Sequence, residues 1–277
     1  MIPTAVNRRL FWIVGAALFI SYAYFYQGGG WNQNSRFALV RAILERHTLS
    51  IDAYHDQTGD RALWRGHYYS DKAPGMSLLA LVPVDVARAV SFSVGVEPGS
   101  EGGVAWTSYV ATVLTSGAFT VAAALCVLWL SLFWGYSRGA AAFAATAYAV
   151  ASPAWCYATL FMGHAVTAGS LAIAFAAAIG LGESGAAPRV RRLAWLVGLF
   201  SGLAVATEFP ATVPMVFIVT LALLTVREVE AGAVRGVLAR IVAGGAVLAI
   251  VLGAYNAAAF GSPSPSLYFS LMAKIRL

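Results

Sequence analysis

Eleven of the chain's thirty charged residues fall between positions 27 and 72: Arg36, Arg41, Glu45, Arg46, Asp52, Asp56, Asp60, Arg61, Arg65, Asp71 and Lys72. Three of the four histidines, His47, His55 and His67, fall there as well. A connecting loop has no packing need for so many titratable groups, whereas a site that handles a charged, hydroxylated substrate does. A carboxylate such as Asp52, Asp56 or Asp60 can take the proton of a hydroxyl. Cations such as Arg36, Arg41 and Lys72 can neutralise a phosphate. The bland alternative is a solvated loop, with the aspartates on surface turns and Lys72 snorkelling towards water.

The elements that must hold these residues follow from composition. The chain of 277 residues is 60% hydrophobic and only 11% charged, with a mean hydropathy of +0.73. Soluble domains carry about a quarter charged residues, so this composition points to a multi-pass membrane protein and excludes disorder, a disulfide-built module and a coiled coil. A transmembrane helix needs about 20 mostly apolar residues. Runs near 10 to 26, 74 to 94, 104 to 134, 139 to 152, 164 to 181, 193 to 208, 210 to 226 and 238 to 258 qualify as seven or eight spans. The runs do not alternate apolar with polar residues, so the fold class expected is all-α and not a barrel. No repeat or linker divides the chain, and positions 1–277 read as one transmembrane domain.

Net charge is +6, but the arginines sit in short loops, as topology signals do, so no nucleic-acid partner is expected. Arg8 and Arg9 open the first apolar run, and without a cleavage site after it they predict an uncleaved span with its N-terminus in the cytoplasm. Arg138, the cluster Arg189, Arg191 and Arg192, and then Arg227, Arg235 and Arg240 mark further cytoplasmic loops. Residues 27–73, 152–163, 208–210 and 256–265 then face outward. This bookkeeping requires residues 74–103 to cross an even number of times, and Asp85 and Arg88 suit a stretch that lies partly in the interface. Cys126 and Cys156 stand in apolar runs, away from any metal-binding spacing, and read as buried thiols. The Ser-Pro run at 262–265, followed by an apolar stretch and the end at Leu277, suggests a short version of something longer.

Inside the outer loop, Asn34 or Ser35 could cap a helix with Phe37, Val40, Ile43 and Leu44 on one face and Arg36, Arg41, Glu45 and Arg46 on the other. Such a helix is expected to lie flat on the bilayer, with its arginines at phosphate depth. The segment His67-Tyr68-Tyr69-Ser70-Asp71-Lys72-Ala73-Pro74-Gly75 closes the loop. Its proline favours an extended Ala73 and its glycine permits close backbone approach, so Lys72 should be held at the membrane boundary. Two residues outside the loop stand out. Glu208 lies at an outward turn between apolar runs, and isolating its charge at membrane depth costs roughly 2.5 kcal/mol or more, so it should face a cavity or a partner. His164 follows a glycine at another outward end, and both it and Glu208 would equally serve as structural end groups.

These features resemble the GT-C superfamily of polytopic glycosyltransferases, which take a sugar from a polyprenyl-phosphate carrier on the outer face of the membrane. Tyr69-Ser70-Asp71-Lys72-Ala73-Pro74-Gly75 is similar to the acidic-lysine-proline element that contacts the carrier phosphate in the aminoarabinose and mannosyl transferase branches. Asn34-Ser35-Arg36-Phe37 resembles the element after the first span. Gly163-His164-Ala165, Ala206-Thr207-Glu208-Phe209-Pro210, and Tyr255-Asn256 with Phe260-Gly261-Ser262-Pro263 are weaker likenesses. Family members usually carry carboxylates just before the arginine-aromatic pair, as base or metal ligand, where this chain has Asn32-Gln33-Asn34. Another loop carboxylate would then have to act, with Asp52 first and Asp56 and Asp60 behind it.

The resemblance implies an inverting transfer in the bacterial cytoplasmic membrane, from a polyprenyl-phosphate-linked sugar to an acceptor on the outer face. Lys72, Arg36 and Arg41 would meet the carrier phosphate, with Asp71, Tyr69, His164 and Glu208 in support. No cofactor or metal ligand set is implied, and a divalent ion stays open. The alternative is a non-catalytic scaffold or carrier-binding subunit of the same fold, working beside another membrane protein, and a transporter stands third.

Overall fold

The computed structural model describes residues 5–183, 187–229 and 231–264, and the apolar stretch at 267–272 lies outside them. In lipid every backbone group must be satisfied internally, and the continuous Ala, Leu and Val runs satisfy theirs as helices. In chain order these are α1 (Ala5–Tyr24), α2 (Trp31–Arg46), α3 (Gly75–Ser93), α4 (Glu101–Thr112), α5 (Ala118–Phe133), α6 (Arg138–Val150), α7 (Pro153–Ala158), α8 (Gly163–Leu181), α9 (Ala187–Thr207), α10 (Thr212–Val229) and α11 (Val234–Phe260). A π-helical turn, Val113–Gly117, joins α4 and α5 into one helix of 33 residues. Between α2 and α3 stands a single hairpin, β1 (Arg61–Trp64) against β2 (His67–Ser70), with Arg61 opposite Ser70 and Trp64 opposite His67.

Among the described residues six helices are long and apolar enough to cross a membrane: Gly75–Ser93, Glu101–Phe133, Gly163–Leu181, Ala187–Thr207, Phe209–Arg227 and Val234–Phe260. The chain is all-α apart from its hairpin, as expected, and six such helices suit an integral membrane protein. Two expected spans are missing from the six. Arg8 and Arg9 fall in every 18-residue stretch of α1 and lower its hydropathy, and α6 is only 13 residues long.

The helices pack in an order that fixes their relative directions. Tyr22 of α1 lies at Gly117, while Leu10 joins Leu128 and Leu132 of α5, so α1 and α5 run antiparallel. α8 runs beside α5 and in the same direction, with Gly169 at Phe119 and Gly180 at Trp129. α9 and α11 run parallel in the closest contact of the bundle, where a Cβ on Gly198 would run into the Ile241 carbonyl. Between membrane helices no hydrophobic drive operates, so small residues that admit close van der Waals contact hold such pairs.

Three expectations about local structure need correcting. α2 begins at Trp31, with Gly30 at its N-cap, and neither Asn34 nor Ser35 caps it; Asn34 instead donates to the Gln57 carbonyl at 2.8 Å. It also does not have one dry and one wet face. Phe37 and Val40 enter a core with Met76, Ala80 and Phe161, while Ala38, Leu39 and Ala42 enter a second core with Ile51, Tyr54 and Phe260. Arg36, assigned to the polar face, is 2% exposed. A helix gripped on two sides follows from its small residues at 38 and 42, which let loop and α11 side chains close over it. Finally, Cys156 is exposed and Cys126 only partly buried, where it lines a shallow recess with Trp129 of α5, Ile173 of α8 and Leu193 of α9.

Candidate functional site

The buried guanidinium of Arg36 organises the site. α2 carries it inward over the start of α3, where the Ser77 hydroxyl donates to the Arg36 carbonyl at 2.9 Å. Its Nε donates to Asn32 Oδ1 at 3.1 Å, one turn back, and its Nη1 to the Ala73 carbonyl at 3.3 Å. Its Nη2 donates to Glu208 Oε1 at 2.8 Å, an ion pair spanning 172 positions of sequence. Glu208 follows the end of α9 in an extended conformation, φ −146°. His164 Nδ1 lies 3.6 Å from the same carboxylate oxygen, and its ring meets Tyr157 edge-on at 4.9 Å. Gly163 makes room for this: a Cβ there would strike Glu208 Oε1 and sit 2.7 Å from Arg36 Nη2. The structure therefore brings together Arg36, His164 and Glu208, which the sequence holds far apart.

Lys72 lies one residue from Ala73, whose carbonyl Arg36 holds. Its Nζ is 2.9 Å from Asp60 Oδ2 and 3.2 Å from both carboxylate oxygens of Asp71. The hairpin explains the meeting, since Arg61 pairs with Ser70 and so puts Asp60 beside the residues that follow β2. Burial pushes the Asp71 carboxyl above its ordinary range, against the pull of Lys72. Lys72 is thus held at the start of α3, as expected, but between two carboxylates. The chain's tight approach to α9 fixes it there, because a Cβ on Gly75 would stand 2.6 Å from the Ala206 carbonyl.

The remaining predicted residues lie elsewhere. Asp52 accepts from the Tyr68 amide at 2.6 Å and pairs with His67 Nδ1 at 2.7 Å. Burial raises its carboxyl, but the Tyr68 amide and His67 outweigh that and hold it below the usual range. Tyr68 precedes Lys72 by four residues, mostly along β2, which puts Asp52 on the order of 10 Å from Lys72. The structure does not bring Asp52 to Lys72. Asp56 is 85% exposed and pairs with His55 at 3.1 Å and Arg61 at 3.4 Å, an arrangement of the wet surface. Arg41 holds Glu45 at 3.0 Å and lies over the Tyr54 ring at 4.3 Å, and Arg88 of α3 reaches the same Glu45 at 3.4 Å. Burial raises the Glu45 carboxyl, yet Arg41, Tyr54 and Arg88 together hold it low. Glu45 therefore ties α2 to Arg88 of α3, and Arg41 is taken up by Glu45 and Tyr54. Tyr69 turns to the Phe260 ring at 5.0 Å and supports the hairpin. Asp60, ranked behind Asp52 in the sequence, is the carboxylate that meets Lys72, and no local pattern marks it, because the hairpin register alone brings it in. Among the described residues no group of three His, Cys, Asp or Glu side chains is arranged to hold a metal ion.

An apolar groove of about 360 Å³ runs between α9, α10 and α11, lined by residues from Leu238 to Leu252 on α11 together with Met215 and Val219. A second recess of about 120 Å³ shares Ala206, Leu248 and Leu252 with it and reaches Pro74 and Gly75. Together they run from within the bundle to the backbone two residues beyond Lys72. The span of α11 along the groove is about 20 Å at 1.5 Å per residue. No known protein family, curated protein or solved structure matches the chain.

Proposed function

We propose that the chain is a multi-pass protein of the bacterial cytoplasmic membrane, N-terminus inside, that transfers a sugar from a polyprenyl-phosphate carrier to an acceptor hydroxyl at the outer face. The observation that carries this reading is the apolar groove that ends at Pro74 and Gly75, beside Lys72 and its ion cluster. A lipid with a long apolar chain and an anionic head fits such a pairing of dry groove and cations. A phosphate arriving at Lys72 would take the place of Asp60, while Arg36, paired with Glu208, would hold the Ala73 carbonyl beside it. The freed Asp60, or Asp71 with its raised affinity for protons, would accept the hydrogen of the acceptor hydroxyl as its oxygen bonds the sugar carbon and the carbon-phosphate oxygen bond breaks. The departing phosphate is already ionised, so no general acid is required.

A second reading has its own support. Asn32 accepts from Arg36 and Asn34 donates to Gln57, so the amides that stand where the family carries carboxylates are engaged structurally. On that reading the chain binds the lipid carrier without turning it over, beside a membrane partner that supplies the chemistry. Mass spectrometry of lipids retained in mild detergent, for wild type and Lys72→Ala, tests the carrier site. A polyprenyl phosphate or its glycosylated form, lost in the variant, is the expected result, whereas bulk phospholipid in both would overturn the proposal. With carrier bound, transfer activity abolished by Asp60→Asn or Asp71→Asn identifies the transferase, and retention without turnover in wild type identifies the binder.

A further inference from the structure

α3 meets the length and hydropathy of a span, yet the geometry points to a different role. The helix from Glu101 to Phe133 is about 50 Å long, against a hydrocarbon core of about 30 Å. Fitting it inside would demand a tilt of about 50°, beyond the 0–40° that spans adopt. Its overhang can be located. α1 ends level with the π-helical turn, since Tyr22 lies at Gly117, and beyond α1 the Tyr26 hydroxyl donates to Ser108 at 3.0 Å. Tyr26 meets Tyr109 edge-on at 5.3 Å between ring centres and Tyr109 stacks on Trp106 at 5.9 Å, an aromatic girdle of the kind found at a membrane interface. Residues 101–107 therefore continue past the bilayer on the side of the 25–74 loop.

α3 follows α4 outward. Met76 and Ala80 pack with Ala111, while farther along the Trp106 indole donates to the Ala87 carbonyl at 3.2 Å. A spanning α3 would set exposed Asp85 about 15 Å deep, near the bilayer centre, where a carboxylate costs about 2.5–3.5 kcal/mol. The turn at 94–100 also carries Glu97, with Glu101 just beyond it and no Lys or Arg between Arg88 and Arg138, unlike the turns at the opposite end of the bundle.

We infer that α3 and α4 form a helical hairpin that does not cross the membrane, with its turn on the same side as residues 25–74, and that its apolar rim rests on the outer leaflet. That rim is Val82, Val86, Val90, Phe92, Val94 and Val96, 39 to 77% exposed. Lipid is its partner because α4 continues directly into the bilayer as α5 and the aromatic girdle lies at its foot. The spans are then α1, α5 with the last part of α4, α6 extended by α7, α8, α9, α10 and α11, which is seven. This topology holds whether or not the chain transfers a sugar.

Single cysteines in a Cys126→Ser, Cys156→Ser background test it with a membrane-impermeant maleimide on sealed vesicles. Gly99→Cys should label in the vesicle orientation in which Asp56→Cys labels, and lose its label in the orientation in which Gly139→Cys gains it. Labelling of Gly99→Cys only in the orientation opposite to that in which Asp56→Cys labels would overturn the inference. An environment-sensitive fluorophore on Val90→Cys reads the rim. Quenching by a spin label near the lipid headgroup supports contact with the leaflet, whereas quenching by aqueous iodide alone, or by neither, would overturn it in favour of water or a protein partner.

Discussion

Arg36 shows why a charge read from sequence cannot be assumed free to meet a ligand. At 2% exposure its guanidinium needs compensation, and Glu208 supplies it at 2.8 Å. Glu208→Gln leaves that charge buried without its partner and should cost about 3–5 kcal/mol, visible as a lower thermal midpoint in detergent. An unchanged midpoint would mean that other groups carry the compensation. Gly163→Ala drives a methyl group into the same pair and should cost about 1–3 kcal/mol, with Gly163→Ser no better. Asp71 predicts a dependence on pH. Its carboxyl is raised in the folded chain, so its contribution to stability is complete below the ordinary carboxylate range near 3.9 and is lost as pH rises through the raised value. Replacing it with asparagine should remove that decline from a stability profile measured between acid and neutral pH. A profile that keeps its slope in the variant would assign the effect to another group.

Elements position these groups through close backbone contacts. Gly75 lets α3 start against the end of α9, and Gly198 lets α9 lie against α11. A methyl at Gly75 would meet backbone, which cannot rotate away, so Gly75→Ala should separate α3 from α9 and loosen Lys72 as well as lower stability. The check is twofold: a drop in thermal midpoint and weaker retention of bound lipid than Gly169→Ala, which lies outside the groove against the Phe119 carbonyl and should affect stability alone. The hairpin matters in the same way, since its register decides that Asp60, and not Asp52, reaches Lys72. Asp52 stands out in the sequence because an apolar stretch adjoins it. Adjacency in sequence marks a residue's neighbours but not its partner across a turn.

Across the whole molecule, the two recesses meet at Ala206, Leu248 and Leu252 and lead to the backbone beside the ion cluster. Leu248→Trp fills the segment common to both recesses and should reduce carrier retention without disturbing the Arg36 and Glu208 pair. Retention equal to wild type would place the lipid chain elsewhere. Composition and the spacing of apolar runs were enough to establish a helical membrane protein, because burying backbone in lipid leaves a chain so apolar and without alternation no other regular structure. The positions of the turns between helices were legible as well, because they fall where the apolar runs break. Contacts such as Arg36 with Glu208, Lys72 with Asp60 and Gly75 with Ala206 were not legible. They join residues 12 to 172 positions apart, and only the packing of whole helices and the hairpin register decides which of many equivalent charges meet. Local patterning thus determined what the chain is made of and where it turns, and tertiary packing decided which residues form the site.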